Sequence, residues 1–155
     1  MSCLEINEIK AAEFLKSRDN FVILTHASPD GDTLGSGYGL LAALRILGKN
    51  AKLLCPDEIP QKFSFLGVEQ EGSFEPETVV AVDVADLKLL GKLWERFEGR
   101  IDLNIDHHIS NTKFAKNLLL DADAAATAEI VFELLTLLKV NINDVTAKAL
   151  YTGIA

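Results

Sequence analysis

Short apolar runs that alternate with amphipathic stretches are the feature that most restricts how this chain can fold. Two of these runs, 21–24 and 78–84, are almost continuously apolar, which is typical of strands covered on both faces of a sheet. Shorter strands are predicted at 51–55 and 101–105, and an edge strand at 118–120. Strands of this kind favour a buried, mostly parallel sheet.

Apolar residues at helical spacing fill the segments between these strands. The predicted helices are 5–17, 34–47, 86–97, 127–139 and one that begins near Asp144. The segment 61–66 fits neither pattern. Strands separated by helices predict an α/β fold, with a mostly parallel sheet and helices on both faces. The apolar face of helix 127–139 suits either the core or an interface, which leaves a homodimer open.

Length and charge restrict the class of protein. A chain of 155 residues without an internal linker fits one domain, 1–155. It has no apolar run of roughly 18 to 20 residues and no signal-peptide pattern. Its two cysteines, Cys3 and Cys55, suit free thiols, so we predict a cytoplasmic protein without a membrane partner. A net charge of −8 argues against long duplex nucleic acid as a partner.

Three clusters of metal-binding residue types each follow a predicted strand. The clusters contain His26, Asp30 and Asp32, then Asp83, and finally Asp106, His107 and His108. The carboxyl ends of parallel strands meet at one edge of the sheet, where ligands bind in such folds. Imidazole and carboxylate together suit Mn²⁺, Zn²⁺, Fe²⁺ or Co²⁺. The sequence therefore predicts a metal centre at this edge.

The number of carboxylates indicates more than one cation. Several acids at one edge would repel each other strongly unless cations lay among them. Two ions roughly 3.5–4 Å apart, bridged by a carboxylate and a hydroxide, can clamp a phosphoryl group. Asp83 stands between the other two clusters along the chain, so it is the predicted bridging ligand.

Each cluster also has a structural interpretation. Asp30 and Asp32 flank Gly31 and could be turn residues. His26 could be a buried histidine at a strand end, and Asp83 could cap the following helix. The glycines of the loop and helix could approach a phosphate or allow close helix packing; they are Gly31, Gly35, Gly37 and Gly39. The convergence of three clusters favours the metal centre.

Four motifs in order resemble those of the DHH phosphoesterases. The signature stands at 106–108, and the first motif is matched by His26, Asp30, Asp32, Gly35 and Ser36. Asp83 matches the second motif. The fourth region resembles 123–129, with Thr127 and Glu129, followed by 149–155. The resemblance covers nearly the whole chain and is greatest to the bacterial oligoribonuclease and 3′-phosphoadenosine-5′-phosphate phosphatase branch, which is also exopolyphosphatase-related.

This resemblance implies two divalent ions, with Mn²⁺ preferred in the family. His26, Asp30 and Asp83 would hold one ion, and Asp32, Asp83 and His107 would hold the second. His108 would contact the scissile phosphate or assist the leaving group, and Asp106 would orient the histidine pair. The implied fold is a parallel α/β domain, followed in the family by a smaller substrate domain.

The resemblance also implies the substrate class. The expected substrates are short oligonucleotides, nucleoside bisphosphates or a cyclic-dinucleotide product. The sequence departs from the family pattern in two places. Ala125 and Ala126 replace serines that relatives often have. The sequence stops at 153–155, where the family motif continues to another aspartate ligand. A truncated catalytic domain, a weak second metal site and low activity are therefore expected.

Other functions fit the same residues. A pyrophosphatase or exopolyphosphatase would use the same metal platform, and a non-catalytic domain could bind metal or nucleotide. Long single-stranded DNA is disfavoured because there is no basic, aromatic-rich stripe. Three phenylalanines cluster outside the predicted helices and are predicted to belong to the local core; they are Phe63, Phe65 and Phe74.

Overall fold

A six-stranded parallel sheet organises the computed structural model, which describes residues 2–67 and 73–155. The strands are β1 (Leu4–Glu5), β2 (Phe21–Leu24), β3 (Ala51–Leu54), β4 (Thr78–Val82), β5 (Leu103–Asp106) and β6 (Asn117–Leu120). Their order across the sheet is β1-β6-β5-β4-β2-β3, and every neighbouring pair is parallel. The predicted α/β fold is confirmed.

Strands β2 and β4 lie next to each other at the centre of the sheet. All of their residues are buried, which explains why both sequences are apolar at consecutive positions. Strand β6 was predicted as an edge, and this is wrong because β1 pairs with its outer side. β1 has only two residues, too few for a period-2 pattern to be recognised.

Helices cover both faces of the sheet. The α-helices are α1 (Glu8–Ser17), α2 (Gly31–Ile46), α3 (Trp94–Phe97), α4 (Thr127–Leu137) and α5 (Asp144–Ile154). The segments Gln61–Leu66 and Leu87–Leu93 are 3₁₀ helices. The single helix predicted at 86–97 is therefore wrong. The backbone at Gly91 adopts φ 53° and ψ −127°, which no helix accommodates, and only four residues after it form α-helix.

The two faces of the sheet carry separate cores. Helices α1, α2, α4 and α5 pack on one face, and Leu90 and Phe97 pack on the other. Most apolar residues of α4 point into the first core, including Ile130, Leu134 and Leu135, whereas Phe132 and Leu137 are exposed. The apolar face of α4 therefore packs in the core. The homodimer stays a prediction.

Glycines let α2 approach α5 closely. A Cβ on Gly35 would lie 2.4 Å from the Ala149 carbonyl oxygen, and one on Gly31 would lie 3.0 Å from the Thr152 carbonyl oxygen. On α5, a Cβ on Gly153 would lie 2.4 Å from Cβ of Ala128 on α4. Helix packing thus accounts for these glycines, and it brings three helices together beside the first polar cluster.

The phenylalanines outside the helices behave differently from one another. Phe63 packs against the larger core, whereas Phe65 is 59% exposed, so the prediction of a local core is wrong for Phe65. The Lys52 ammonium lies 4.9 Å above the Phe74 ring. No helix in the described part of the chain combines the length and the apolar character that crossing a membrane requires.

Candidate metal centre

The three polar clusters meet at the carboxyl edge of the sheet. Strands β5, β4 and β2 are neighbours in that order, so the residues that end or follow them lie side by side. His26 and Asp83 follow β2 and β4, and Asp106 is the last residue of β5. The loop after β2 leads directly into α2, which carries Asp32 in its first turn. The predicted residues are therefore brought to one place.

Asp83 is at the centre of this arrangement. It is 2% exposed, and its Oδ2 lies 3.5 Å from Nε2 of His26 while its Oδ1 lies 3.5 Å from Nε2 of His107. Its backbone has φ 62°, an unusual conformation for a non-glycine residue. Asp83 does not cap the following helix, because that cap is Asp86, which accepts from the Lys88 N–H. One carboxylate thus presents a different oxygen to each of two histidines.

The first trio consists of His26, Asp30 and Asp83, whose donor atoms lie within 4.8 Å of one another. Nε2 of His26 is 3.6 Å from Oδ1 of Asp30. Nδ1 of His26 lies 2.7 Å from the Ala27 carbonyl oxygen, which holds the ring and leaves Nε2 directed at the carboxylates. Asp30 also caps α2 by accepting from the Thr33 N–H at 3.0 Å.

The charges of this trio affect one another. Burial lowers the pKa of His26, but hydrogen bonds to Asp30 and Asp83 outweigh it and raise the pKa to about 10. The hydrogen bond to His26 is the largest influence on Asp30 and lowers its pKa to about 2. The metal-free trio therefore holds a proton where a cation could bind.

The second trio is formed by Asp32, Asp83 and His107. Nε2 of His107 lies 3.3 Å from Oδ2 of Asp32, and Nδ1 of His107 lies 3.2 Å from the Ala124 carbonyl oxygen. Burial, followed by the charge of Asp83, raises the pKa of Asp32 to about 6, against backbone hydrogen bonds that lower it. Donor atoms of Asp83, His107 and His108 also lie within 4.8 Å of one another.

His108 is held by a buried network. Its Nδ1 lies 2.7 Å from Oδ1 of the fully buried Asp106, whose Oδ2 accepts from Nδ2 of Asn111 at 2.8 Å. Asn111 also donates to Oδ1 of Asn104 at 2.8 Å. Burial lowers the pKa of His108, but the hydrogen bond to Asp106 raises it above the ordinary value. Asp106 orients His108, whereas the Ala124 carbonyl holds His107.

These residues are of the types that bind divalent cations of borderline character. Each trio combines one imidazole with carboxylates, and both trios share Asp83. Within residues 2–67 and 73–155, the ion-pair partners of Asp32 and Asp83 are histidines, with no lysine or arginine among them. In the described part of the chain these carboxylates therefore face histidines, which can bind a metal cation in place of a proton, rather than permanently charged side chains.

Two residues outside the predicted ligand sets, Asn111 and Thr127, also contribute to this site. Asn111 follows the histidine pair in the same loop, where a buried asparagine has no local signature. Thr127 is fully buried, and its hydroxyl donates to Oδ1 of Asp83 at 3.0 Å. A threonine before an apolar helix suggests only a cap, so its contact with an aspartate 44 residues away could not be predicted from local sequence.

Comparisons with known proteins find relatives over nearly the whole chain. The family model described as "DHH family, N-terminal domain" matches residues 20–154. The "Bifunctional oligoribonuclease and PAP phosphatase NrnA" of Thermus thermophilus is 38% identical over 151 residues, 92% of this chain and 45% of that protein. The Mycoplasma genitalium protein of the same name is 32% identical over 94% of this chain and 48% of that protein. The chain spans about half the length of these relatives.

Solved structures show the same fold. An exopolyphosphatase-related protein from Bacteroides fragilis superposes with a TM-score of 0.85 at 23% identity, over 95% of this chain and 48% of that one. Exonuclease RecJ bound to manganese superposes with a TM-score of 0.55 at 19% identity, over 84% of this chain and 37% of that one.

Proposed function

The chain belongs to the DHH family, and on that premise we propose that it is the metal-binding part of a phosphoesterase for short oligonucleotides or nucleoside bisphosphates. The observation that carries the proposal is the shared carboxylate of Asp83, with one oxygen 3.5 Å from His26 and the other 3.5 Å from His107. A carboxylate in this position can serve two cations at once.

The residues divide into two proposed sets of ligands. His26, Asp30 and Asp83 would hold one ion, and Asp32, Asp83 and His107 would hold the other. When bound, the ions would lower the pKa of a water molecule and offset charge on the phosphoryl oxygens. Mn²⁺ is the ion we propose first, because mixed imidazole and carboxylate sets suit borderline cations better than Mg²⁺ or Ca²⁺.

His108 would act on the substrate. Its Nδ1 is engaged by Asp106, which leaves Nε2 for a phosphate oxygen or for the leaving group. Against the effect of burial, the hydrogen bond to Asp106 raises the pKa of His108 above its ordinary value, which stabilises the protonated ring, the form that can donate a proton. Asp106 would keep this ring oriented and would favour its charged form.

The substrate class is proposed from the curated relatives, which are named for oligoribonuclease and PAP phosphatase activities. The net charge of −8 agrees with a small substrate held through cations better than with a long nucleic acid gripped by a basic groove. We also propose a cytoplasmic location, because both cysteines are free, as is usual in a reducing compartment.

Release of phosphate or nucleotide in the presence of Mn²⁺ tests the proposal. The substrates are a 5′-phosphorylated dinucleotide, adenosine 3′,5′-bisphosphate, pyrophosphate and short polyphosphate. The variant is Asp83→Asn, with Asp102→Asn as the matched control, since Asp102 binds the Val79 N–H and Lys116 and not the metal-site residues. Turnover of a nucleotide substrate that only Asp83→Asn abolishes is expected.

Other outcomes separate the alternatives. Turnover of pyrophosphate or polyphosphate alone would replace the nucleotide substrate by an inorganic one. Tight Mn²⁺ binding without any turnover would indicate a metal-binding domain that does not catalyse by itself. The absence of Mn²⁺ binding would contradict the proposed metal centre.

A further inference from the structure

We propose that Thr127 is a positioning residue that holds the two carboxylates of the metal centre, Asp83 and Asp32, in the arrangement that two cations require. The inference rests on the proposed function and adds to it a residue outside the two proposed sets of ligands. Thr127 is the first residue of α4 and is fully buried.

Thr127 contacts both carboxylates through different atoms. Its side-chain hydroxyl donates to Oδ1 of Asp83 at 3.0 Å, and its backbone N–H donates to Oδ2 of Asp32 at 3.0 Å. The next backbone N–H, that of Ala128, donates to Oδ1 of Asp32 at 3.0 Å. One short segment therefore determines the orientation of an aspartate from each side of the centre.

Asp32 takes the place of a missing helix cap. The residue before α4 is Ala126, which has no side-chain acceptor for the free N–H groups at the start of the helix. Both oxygens of Asp32 satisfy these groups instead, and the positive end of the helix dipole favours a carboxylate there. The start of α4 thus holds Asp32 directly.

The hydroxyl of Thr127 orients the carboxylate of Asp83, as the backbone N–H groups of α4 orient that of Asp32. The carboxylates of Asp83 and Asp32 lie close enough to repel each other, because Nε2 of His107 is 3.5 Å from Oδ1 of Asp83 and 3.3 Å from Oδ2 of Asp32. A donor at Oδ1 of Asp83 keeps this oxygen on the side of His107 and leaves Oδ2 on the side of His26. Without that donor the carboxylate can rotate, and the separate presentation of its two oxygens is lost.

The position of Thr127 is itself fixed by packing. Gly153 of α5 lies against Ala128 so closely that a Cβ on Gly153 would be 2.4 Å from Cβ of Ala128. The start of α4 therefore has little room to move relative to α5. A hydroxyl on such an element can orient a ligand more precisely than one on a loop.

Calorimetric titration with Mn²⁺ tests this role. The variants are Thr127→Val, which keeps the shape and removes the hydroxyl, and Thr127→Ser, which keeps the hydroxyl. Thr146→Val is the matched control, since Thr146 is also fully buried and its hydroxyl bonds Asn143 rather than the metal site. Thr127→Val should weaken Mn²⁺ binding by about 10- to 100-fold, the range seen when partners of metal ligands are removed.

Thr127→Ser should bind within a few-fold of the original chain, and Thr146→Val should bind like it. Equal affinity in Thr127→Val and the original chain, with binding lost in Asp83→Asn, would overturn the role of Thr127 and leave the proposed function intact. Equal weakening by serine and valine would also overturn it, because the methyl group would then be responsible. The absence of Mn²⁺ binding in the original chain would overturn both proposals.

Circular dichroism shows whether each variant folds. If Thr127→Val is unfolded, Thr127→Ala removes the hydroxyl without a branched apolar group in its place and takes over the comparison. Unfolding of both would overturn the proposal, because the hydroxyl would then serve the fold rather than the site.

Discussion

Gly35 on α2 lies so close to Gly153 on α5 that a Cβ added to Gly35 would be 2.6 Å from the Gly153 backbone nitrogen. Backbone atoms cannot give way as the tip of a side chain can. The two glycines therefore allow the short distance between α2 and α5. Asp32, three residues before Gly35, reaches the start of α4 because of this close packing.

Gly35→Ala should destabilise the fold. Alanine is favoured over glycine within a helix by about 1 kcal/mol, but overpacking against backbone should cost more, and we expect a net loss of about 1–3 kcal/mol. Gly39→Ala is the matched control, because its nearest neighbour is Cδ2 of Leu150 at 3.0 Å, which can move. Urea unfolding measures both, and equal stabilities would contradict the helix contact.

Mn²⁺ binding should strengthen as the pH rises. The pKa of His26 is raised to about 10, so a cation at neutral pH must displace its proton. The pKa of Asp32 is raised to about 6, so a second proton competes below that pH. The apparent affinity should therefore fall more steeply below pH 6 than between pH 6 and 8.

The number of protons released can be measured separately. Titration calorimetry in buffers of different ionisation enthalpy should show about one proton released per bound cation at the His26 trio near pH 7. An affinity that does not change between pH 5.5 and 8 would contradict the proton-bound state of the metal-free centre.

Asp106→Asn should lower the pKa of His108. The hydrogen bond to Asp106 is what raises the pKa of this ring against burial, so its loss should return the pKa to the ordinary value or below. The charged form of His108 should then be lost at a lower pH. Two-dimensional NMR of the imidazole protons in metal-free protein measures this, with Asp102→Asn as the control. An unchanged titration would show that Asp106 is not the controlling partner.

Features that depend on nearby residues in the sequence could be predicted, whereas features that depend on contacts between distant residues could not. The strand 21–24 and the convergence of the three polar clusters depend on local pattern and on the geometry of parallel sheets, so both could be predicted. The metal-ligand assignments themselves stay proposals. The broken helix after Asp86 was missed because a single glycine, Gly91, takes a non-helical conformation within an apolar pattern.

Contacts between segments that are far apart in the sequence could not be predicted from a sequence pattern. Asp32 caps a helix that begins 95 residues later, and Thr127 donates to Asp83 across 44 residues. Neither contact changes the local composition or the periodicity. The same threonine in another packing arrangement would serve only its own helix end.

The two metal positions should differ in affinity. Both oxygens of Asp32 already accept backbone N–H groups, and Oδ1 also accepts the Ser36 hydroxyl at 3.1 Å. Asp30 accepts the Thr33 N–H through Oδ1 and is 63% exposed, so it can turn to a cation more easily. Titration with Mn²⁺ should therefore show a tight step followed by a weaker one.

Matched substitutions assign these two steps. Asp30→Asn should weaken the tight step while preserving α2, because asparagine caps a helix as well as aspartate does. Asp32→Asn should remove the weaker step, and it should also destabilise α4 by about 0.5–2 kcal/mol through the lost cap. Electron paramagnetic resonance should show coupled manganese pairs in the original chain at saturation and isolated ions in Asp32→Asn. Two steps of equal affinity, or coupled pairs that survive in Asp32→Asn, would contradict the assignment, because Asp32 would then not hold the second ion.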